Sequence, residues 1–203
     1  MSEDCLSEDR AAKIRKSVLE KYRAVARAPG GHFAYPVGRE SAARLGYAAE
    51  WLAAVPPETV ERFVGVGNPY SLRKPAAGMH VLDAGCGCGL DTFVAALLTG
   101  SHGRAVGLDL CPEMLAWPRQ AAARSAMSRV DFLKGSLEAL PFADESFDLV
   151  ISNGVLSLVP DKDRAFREIS RVLRAGGALA AADLAVVESM PEKMLQDLDA
   201  WSN

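Results

Sequence analysis

The stretch that decides the fold is Val81-Leu82-Asp83-Ala84-Gly85-Cys86-Gly87-Cys88-Gly89, which is followed by an apolar run from Leu90. Its pattern predicts a buried strand that ends in a carboxylate, then three alternating glycines, then the start of a helix. Glycine allows a ligand to approach the backbone closely, and a helix N-terminus directs free N–H groups and partial positive charge to the same point. The stretch therefore predicts a strand–loop–helix corner that binds a ligand carboxylate or phosphate.

Three residues narrow the kind of ligand. A dinucleotide loop of the Gly-x-Gly-x-x-Gly/Ala type needs a small residue where this chain has Leu90, which counts against a nucleotide-dependent oxidoreductase. Asp83 would lie near the cationic amino group of an amino-acid-type ligand. Asp109, at the end of the next predicted strand, can accept hydrogen bonds from ribose hydroxyls. The glycines alone are equally consistent with a structural turn, but with both carboxylates they predict a nucleotide site.

Short β-type runs alternate with helical patterns through the rest of the chain. The strands are predicted near residues 79–84, 104–109, 129–133, 147–152 and 178–183, and the helices near residues 91–99, 112–126, 161–173 and 191–200. This alternation predicts an α/β fold with a doubly wound, mainly parallel sheet. Pro118 is expected to kink or divide its helix, at a cost of about 3 kcal/mol.

The region before the first strand is predicted to be helical. Residues 1–10 are polar and charged and predict a flexible tail. Residues 11–75 predict an N-terminal helical cap of three helices, over residues 11–28, 40–54 and 57–64. Residues 76–203 then form the ligand-binding domain, as one compact unit with the cap. The cap would cover the carboxyl ends of the strands, where open α/β sheets bind ligands.

Composition limits the partners and the location. Lys and Arg number 23 against 26 Asp and Glu, so the formal charge of -3 favours neither a nucleic acid nor an anionic membrane as partner. The acidic N-terminus and the absence of an apolar run of roughly 18 residues predict a cytoplasmic protein without a membrane span. Four cysteines and three histidines show no tetrahedral ligand pattern, so we expect reduced thiols and no metal site.

Residues 135–142 (GSLEALPF), 146–153 (SFDLVISN) and 174–177 (RAGG) extend the pattern of the glycine loop. Together with that loop, these motifs resemble class I S-adenosylmethionine-dependent methyltransferases over residues 79–184. The resemblance implies a Rossmann-like fold, S-adenosylmethionine as the cofactor and a small-molecule methyl acceptor. It implies cofactor contacts from Asp83, Gly85, Cys86, Gly87 and Gly89 at the methionine end, Asp109 and Leu110 at the ribose, Met114, Ser136 and Leu137 at the adenine, and Asn153 at the mouth of the fourth strand. No catalytic residue is assigned, because the cofactor carries the reactive methyl group.

Residues 65–69 (GVGNP) and 152–162 (SNGVLSLVPDK) resemble arsenite methyltransferases in particular. The resemblance implies that those enzymes bind the metalloid through cysteines, including one in each of these two segments. Here the corresponding positions hold Val66 and Gly154, and neither residue can supply the thiolate that soft As(III) prefers. Arsenite is therefore not the expected substrate, and the methyl acceptor is left unidentified.

After the fifth predicted strand the sequence offers only the helical pattern of residues 191–200, whereas the family's sheet normally gains two more strands. An exposed sheet edge is a template for pairing. The pattern thus predicts either a truncated chain or a homo-oligomer that pairs through this edge. Two functions follow: a methyltransferase acting on a small molecule or, alternatively, a catalytically degenerate cofactor-binding or partner-interaction domain.

Overall fold

A computed structural model describes residues 7–125, 127, 129–185 and 201 of the chain. Its centre is a sheet of five strands: β1 (His80–Ala84), β2 (Arg104–Asp109), β3 (Val130–Lys134), β4 (Phe147–Asn153) and β5 (Leu173–Ala182). The strands lie in the order β3-β2-β1-β4-β5, and every pairing between them is parallel. The predicted doubly wound α/β fold is confirmed.

Helices pack on both faces of the sheet, and alternate residues of the central strands supply two cores. Val81 and Ile151 face the core that contains α5 (Leu90–Thr99) and part of α6 (Pro112–Arg124). Leu82 and Val150, their neighbours along the strands, face the core that contains α7 (Lys162–Val172). Because β1 pairs with both β2 and β4, the strand order reverses beside β1, and ligands of open α/β sheets bind at such a switch point.

Between residue 7 and β1 the structure has four α-helices, where the sequence predicted three. They are α1 (Glu8–Arg27), α2 (Gly38–Arg44), α3 (Ala49–Ala54) and α4 (Pro57–Glu61), and a short 3-10 helix follows at Pro69–Ser71. The predicted helix over residues 40–54 is wrong, because the chain turns at Gly46, whose φ of +81° suits glycine. The last of these helices also ends at Glu61, before the predicted residue 64.

Helix α1 begins earlier than the sequence predicted. It starts at Glu8, where the Ser7 hydroxyl accepts a hydrogen bond from the Arg10 N–H at 3.4 Å and acidic residues occupy the first turn. Both features stabilise a helix N-terminus. Residues 8–10 of the predicted tail are thus helical, and residues 1–6 lie outside the described part of the chain.

Two further expectations concern α6 and β5. Pro118 was expected to kink or divide α6, and the structure shows that the helix is not divided. A Cβ added to Gly89 would lie 2.7 Å from the Pro118 Cβ, so the proline ring packs against the glycine loop. We infer that this packing offsets the lost backbone hydrogen bond. Strand β5 begins at Leu173, before the predicted residue 178. The helix predicted over residues 191–200 lies outside the described residues, and no helix that the structure describes is long and apolar enough to cross a membrane.

Candidate functional site

A cavity that is partly open to solvent lies at the carboxyl ends of β1, β2 and β4. Most of the predicted cofactor contacts meet in its wall: Gly85, Cys86, Gly87, Asp109, Leu110, Ser136, Leu137 and Asn153. The structure therefore brings together residues from four separate segments of the sequence.

Asp109 fixes the shape of the glycine loop. One of its carboxylate oxygens accepts the Gly87 N–H at 2.8 Å, and the other accepts the Cys111 N–H at 2.8 Å. Burial raises the pKa of Asp109, and these backbone N–H groups oppose the rise. Each carboxylate oxygen retains a lone pair, so the group can still accept hydrogen bonds from a ligand in the cavity.

Three predicted contacts lie outside the cavity wall. Asp83 is buried and accepts a hydrogen bond from the Thr92 hydroxyl at 2.6 Å. Burial, and then the neighbouring Asp91, raise the pKa of Asp83 well above its ordinary value. Gly89 precedes the first residue of α5, and Met114 is buried with its terminal methyl 3.3 Å from the point where Gly87 would carry a Cβ. These residues support the loop rather than line the cavity.

Asp91 is a cavity residue that the sequence reasoning missed. It lies in the first turn of α5, and its buried carboxylate accepts hydrogen bonds from the Tyr47 hydroxyl at 2.6 Å and the Asn153 amide at 3.1 Å. Burial raises the pKa of Asp91 to about 6, although both hydrogen bonds oppose the shift. A carboxylate in the first turn after a glycine loop was the available signal.

Helix α1 forms one wall of the cavity and is held there by an ion pair. The Arg15 guanidinium donates to both carboxylate oxygens of Glu138 at 2.8 Å each, and Glu138 also accepts the Asp161 N–H at 3.2 Å. Val18, Leu19 and Tyr22 of the same helix line the cavity. Arg15 and Glu138 are far apart in sequence, so no local pattern could have predicted the pair.

Replacing Glu138 by Gln is expected to lower the free energy of unfolding by about 1–3 kcal/mol at pH 7, because the half-buried Arg15 loses its counter-charge. Burial alone would raise the pKa of Glu138, but the hydrogen bond and charge of Arg15 outweigh it and lower the pKa below 4.5. The stabilisation from the ion pair is thus complete above the pKa that Glu138 has in the unfolded chain. It is lost as pH falls through the lower pKa that Glu138 has in the folded chain. Urea unfolding at pH 7 and at lower pH measures both effects.

The matched control is Glu40→Gln, which removes an exposed ion pair with Arg44 on α2. We expect a smaller loss of stability there, since exposed pairs contribute little. Equal losses in the two variants at pH 7 would contradict the structural role of the Arg15–Glu138 pair, as would a gap between wild type and Glu138→Gln that persists in acid.

The structure describes three of the four cysteines. Cys86, Cys88 and Cys111 are free and buried. Burial raises the pKa of Cys88 to about 12 and that of Cys111 to about 11, and it raises the pKa of Cys86 well above its ordinary value. Protonated thiols are poor metal ligands. Among the residues that the structure describes, no group of three or more His, Cys, Asp or Glu is placed to hold a metal ion.

Val66 and Gly154, which stand where the arsenite enzymes are expected to carry cysteines, are neighbours in space. A Cβ added to Gly154 would lie 3.3 Å from both γ-carbons of Val66. The surrounding cavity wall is largely apolar and includes Phe63, Val64, Val155, Leu158, Val159 and Pro160. The two segments therefore form an apolar end of the cavity without a thiol at either position.

The fold and the cavity define a class: a doubly wound parallel sheet with a cavity at its switch point, beside N-terminal helices. Residues 75–203 match the family model described as a methyltransferase domain, and the chain belongs to this family. This match and the relatives described below confirm the predicted resemblance to class I methyltransferases of the arsenite methyltransferase type.

An arsenite methyltransferase of Halobacterium salinarum is 40% identical over 157 residues, which are 77% of this chain and 40% of that protein. A demethylmenaquinone methyltransferase of Listeria monocytogenes is 36% identical over 112 residues, covering 55% of this chain and 47% of the relative. The crystal structure of CrArsM, an arsenic(III) S-adenosylmethionine methyltransferase from Chlamydomonas reinhardtii, superimposes with a TM-score of 0.65 at 36% identity, over 83% of this chain and 58% of that one. This chain spans less than half the length of both curated relatives.

Proposed function

We propose that the chain binds S-adenosylmethionine in the cavity and transfers its methyl group to a small, apolar acceptor. The observation that carries the proposal is the position of Asp109. Asp109 stands at the carboxyl end of β2 and lines the cavity, and its carboxylate accepts the Gly87 N–H. A carboxylate that can accept hydrogen bonds from ribose hydroxyls is thereby joined to the glycine loop. Helix α1 and the apolar end cover part of the site, and this cover limits the access of water to a methyl transfer.

Two carboxylates in the cavity suit the two polar parts of this cofactor, its ammonium group and its ribose hydroxyls. We assign the ammonium group to the buried Asp91 rather than to Asp83, because Asp91 lines the cavity and Asp83 does not. Asp109 takes the ribose hydroxyls. Leu110, Ser136 and Leu137, which line the same cavity, border the adenine. When bound, the cofactor supplies an electrophilic methyl on a sulfonium sulfur, and the chain's own task is alignment and exclusion of water.

The acceptor is expected to carry its own nucleophile. Burial raises the pKa of Tyr22, whose side chain lines the cavity, so its hydroxyl stays protonated near neutral pH and does not act as a base. The apolar end favours an uncharged, apolar molecule. The relatives named above act on different acceptors, so family membership does not identify this one. No structural observation favours the catalytically degenerate alternative, and the predicted cytoplasmic location and homo-oligomer stay predictions.

Titration calorimetry with S-adenosylmethionine, S-adenosylhomocysteine and NAD tests the cofactor assignment. We expect both sulfur compounds to bind and NAD to bind more weakly, because Leu90 follows the third glycine. Equal binding of all three, or a preference for NAD, would overturn the proposal. Methyl transfer from labelled cofactor to a panel of small apolar acceptors then separates an active enzyme from a binding domain.

The wild-type chain is expected to bind As(III) poorly, and the double variant Val66→Cys plus Gly154→Cys is expected to bind it at least about tenfold more tightly, because As(III) prefers thiolates. Gly154 has a φ of +71°, so cysteine there adds strain, and circular dichroism must first show that the variant folds. Quenching of tryptophan fluorescence by arsenite measures the affinity. The single variants serve as controls; tight As(III) binding by the wild type would show that the missing cysteines do not decide the acceptor.

A further inference from the structure

Asn153 lies at the carboxyl end of β4, where the sequence predicted a cofactor contact, but the protein itself uses the whole side-chain amide. Its oxygen accepts the N–H groups of Val66 at 2.9 Å and Gly67 at 3.1 Å. Its nitrogen donates to the Gly67 carbonyl at 2.8 Å, the Asp91 carboxylate at 3.1 Å and the Tyr47 hydroxyl at 3.1 Å. A side-chain amide has two donor hydrogens and two acceptor lone pairs, so the three acceptors share the two hydrogens, both lone pairs are used, and none is left for a ligand.

The hydrogen bonds of Asn153 lead on one side to the loop over residues 65–67, here called the acceptor loop. Asn153 packs so closely on it that a Cβ at Gly65 would lie 2.5 Å from the Asn153 amide nitrogen. Gly65 of this loop lines the cavity, and the neighbouring Val66 lies close to Gly154, which lines it too. The loop is thus held by two side chains from outside it: Asn153 of β4, and Tyr47, whose hydroxyl donates to the Gly67 carbonyl at 3.4 Å.

On the other side, the hydrogen bonds of Asn153 lead to Asp91, the carboxylate to which we assign the cofactor ammonium group. Asp91 accepts hydrogen bonds from Asn153 and from Tyr47, and the Tyr70 hydroxyl donates to the Asp91 carbonyl. These are buried contacts, and hydrogen bonds to a buried carboxylate are stronger than bonds between neutral groups. A continuous set of hydrogen bonds therefore joins the methionine end of the cavity to the acceptor loop.

We propose that Asn153 is a positioning residue that sets the acceptor loop relative to Asp91, and thereby couples occupation of the cofactor site to the shape of the acceptor wall. A cation beside Asp91 restrains the carboxylate, the carboxylate holds the Asn153 amide, and the amide oxygen holds Val66 and Gly67. The inference rests on the proposed function, because it presumes that the cofactor ammonium lies at Asp91.

The test is hydrogen exchange at the Val66 and Gly67 amides, with and without S-adenosylhomocysteine, in wild type and in Asn153→Ala. Exchange reports local opening, so losing the acceptor of both N–H groups should speed their exchange roughly tenfold or more. We expect S-adenosylhomocysteine to slow exchange at both amides in the wild type and to have no effect on them in the variant. Its affinity should fall less than about fivefold, because Tyr47 still holds Asp91.

Ser152→Ala is the matched control. Ser152 precedes Asn153 in β4, is buried, and donates to the Ala84 carbonyl at 3.0 Å without a contact to the acceptor loop. It loses one buried hydrogen bond at the same strand end and should leave exchange at Val66 and Gly67 unchanged. If Asn153→Ala does not fold, Tyr47→Phe removes one partner of the Asn153 amide at nearly constant volume, and a smaller acceleration at the same two amides is expected.

Unchanged exchange at Val66 and Gly67 in the Asn153 or Tyr47 variants would overturn the proposal, as would equal acceleration in Ser152→Ala. Loss of S-adenosylhomocysteine binding in Asn153→Ala with slow loop exchange would instead make Asn153 a direct cofactor contact. A wild type that binds no S-adenosylhomocysteine would refute the proposed function. In that case the exchange data without ligand would still show whether Asn153 holds the loop.

Discussion

Replacing Asp109 by Ala is expected to weaken S-adenosylhomocysteine binding about 10- to 100-fold, the equivalent of losing hydrogen bonds to a charged group worth about 1.5–3 kcal/mol. Two losses combine. The ribose hydroxyls lose their acceptor, and the N–H groups of Gly87 and Cys111 lose the carboxylate oxygens to which each donates at 2.8 Å. Titration calorimetry on folded protein measures the change.

Asp131→Ala is the control for this experiment. Asp131 lies on the neighbouring strand β3, is exposed, and pairs with Arg104 at 2.6 Å outside the cavity. Removing its charge should leave the affinity unchanged. An Asp109→Ala variant that binds S-adenosylhomocysteine like the wild type would remove Asp109 from the site and with it the observation on which the proposed function depends.

Gly89→Ala is expected to lower the free energy of unfolding by about 2–5 kcal/mol. Gly89 has a φ of +85°, in the left-handed region that disfavours a side chain. The added Cβ would also lie 2.7 Å from the Pro118 Cβ and 2.9 Å from a Phe132 ring carbon, so the substitution adds overlap to backbone strain. Urea unfolding measures the loss, provided that the slope of the unfolding free energy against urea concentration is the same in the variant and the wild type.

Gly46→Ala separates the two causes. Gly46 has a φ of +81°, close to that of Gly89, but a Cβ there would meet no atom within 4 Å. We expect a loss of only about 1–2 kcal/mol from backbone strain alone. If both variants lose the same stability, the packing of Pro118 against the glycine loop does not contribute, and the explanation given for the undivided helix α6 would fail.

Much of the fold followed from local patterns. Alternating strand and helix patterns predicted the doubly wound sheet, and β2 has the predicted bounds. Errors arose where a local pattern competed with packing. Gly46 divided an apparently continuous helix, and Pro118 failed to divide one because its ring is buried against the glycine loop.

The candidate site was predicted in the same uneven way. Asp109 and the glycines were identifiable because turn chemistry and strand ends are encoded by neighbouring residues. Asp83 was assigned to the ligand, but the side chain that lines the cavity is Asp91. Both carboxylates flank the same glycine loop, and only the direction of each side chain in the folded chain distinguishes them.

The sequence by itself determined the class of fold, the position of the glycine loop and the absence of thiols at Val66 and Gly154, since each depends on residue type at a local position. Only the tertiary structure decided which groups remain available to a ligand. The Arg15–Glu138 pair and the contacts of Asn153 with Asp91 and the acceptor loop join distant segments. Such contacts arise from packing of the cap on the sheet and leave no periodic signal along the chain.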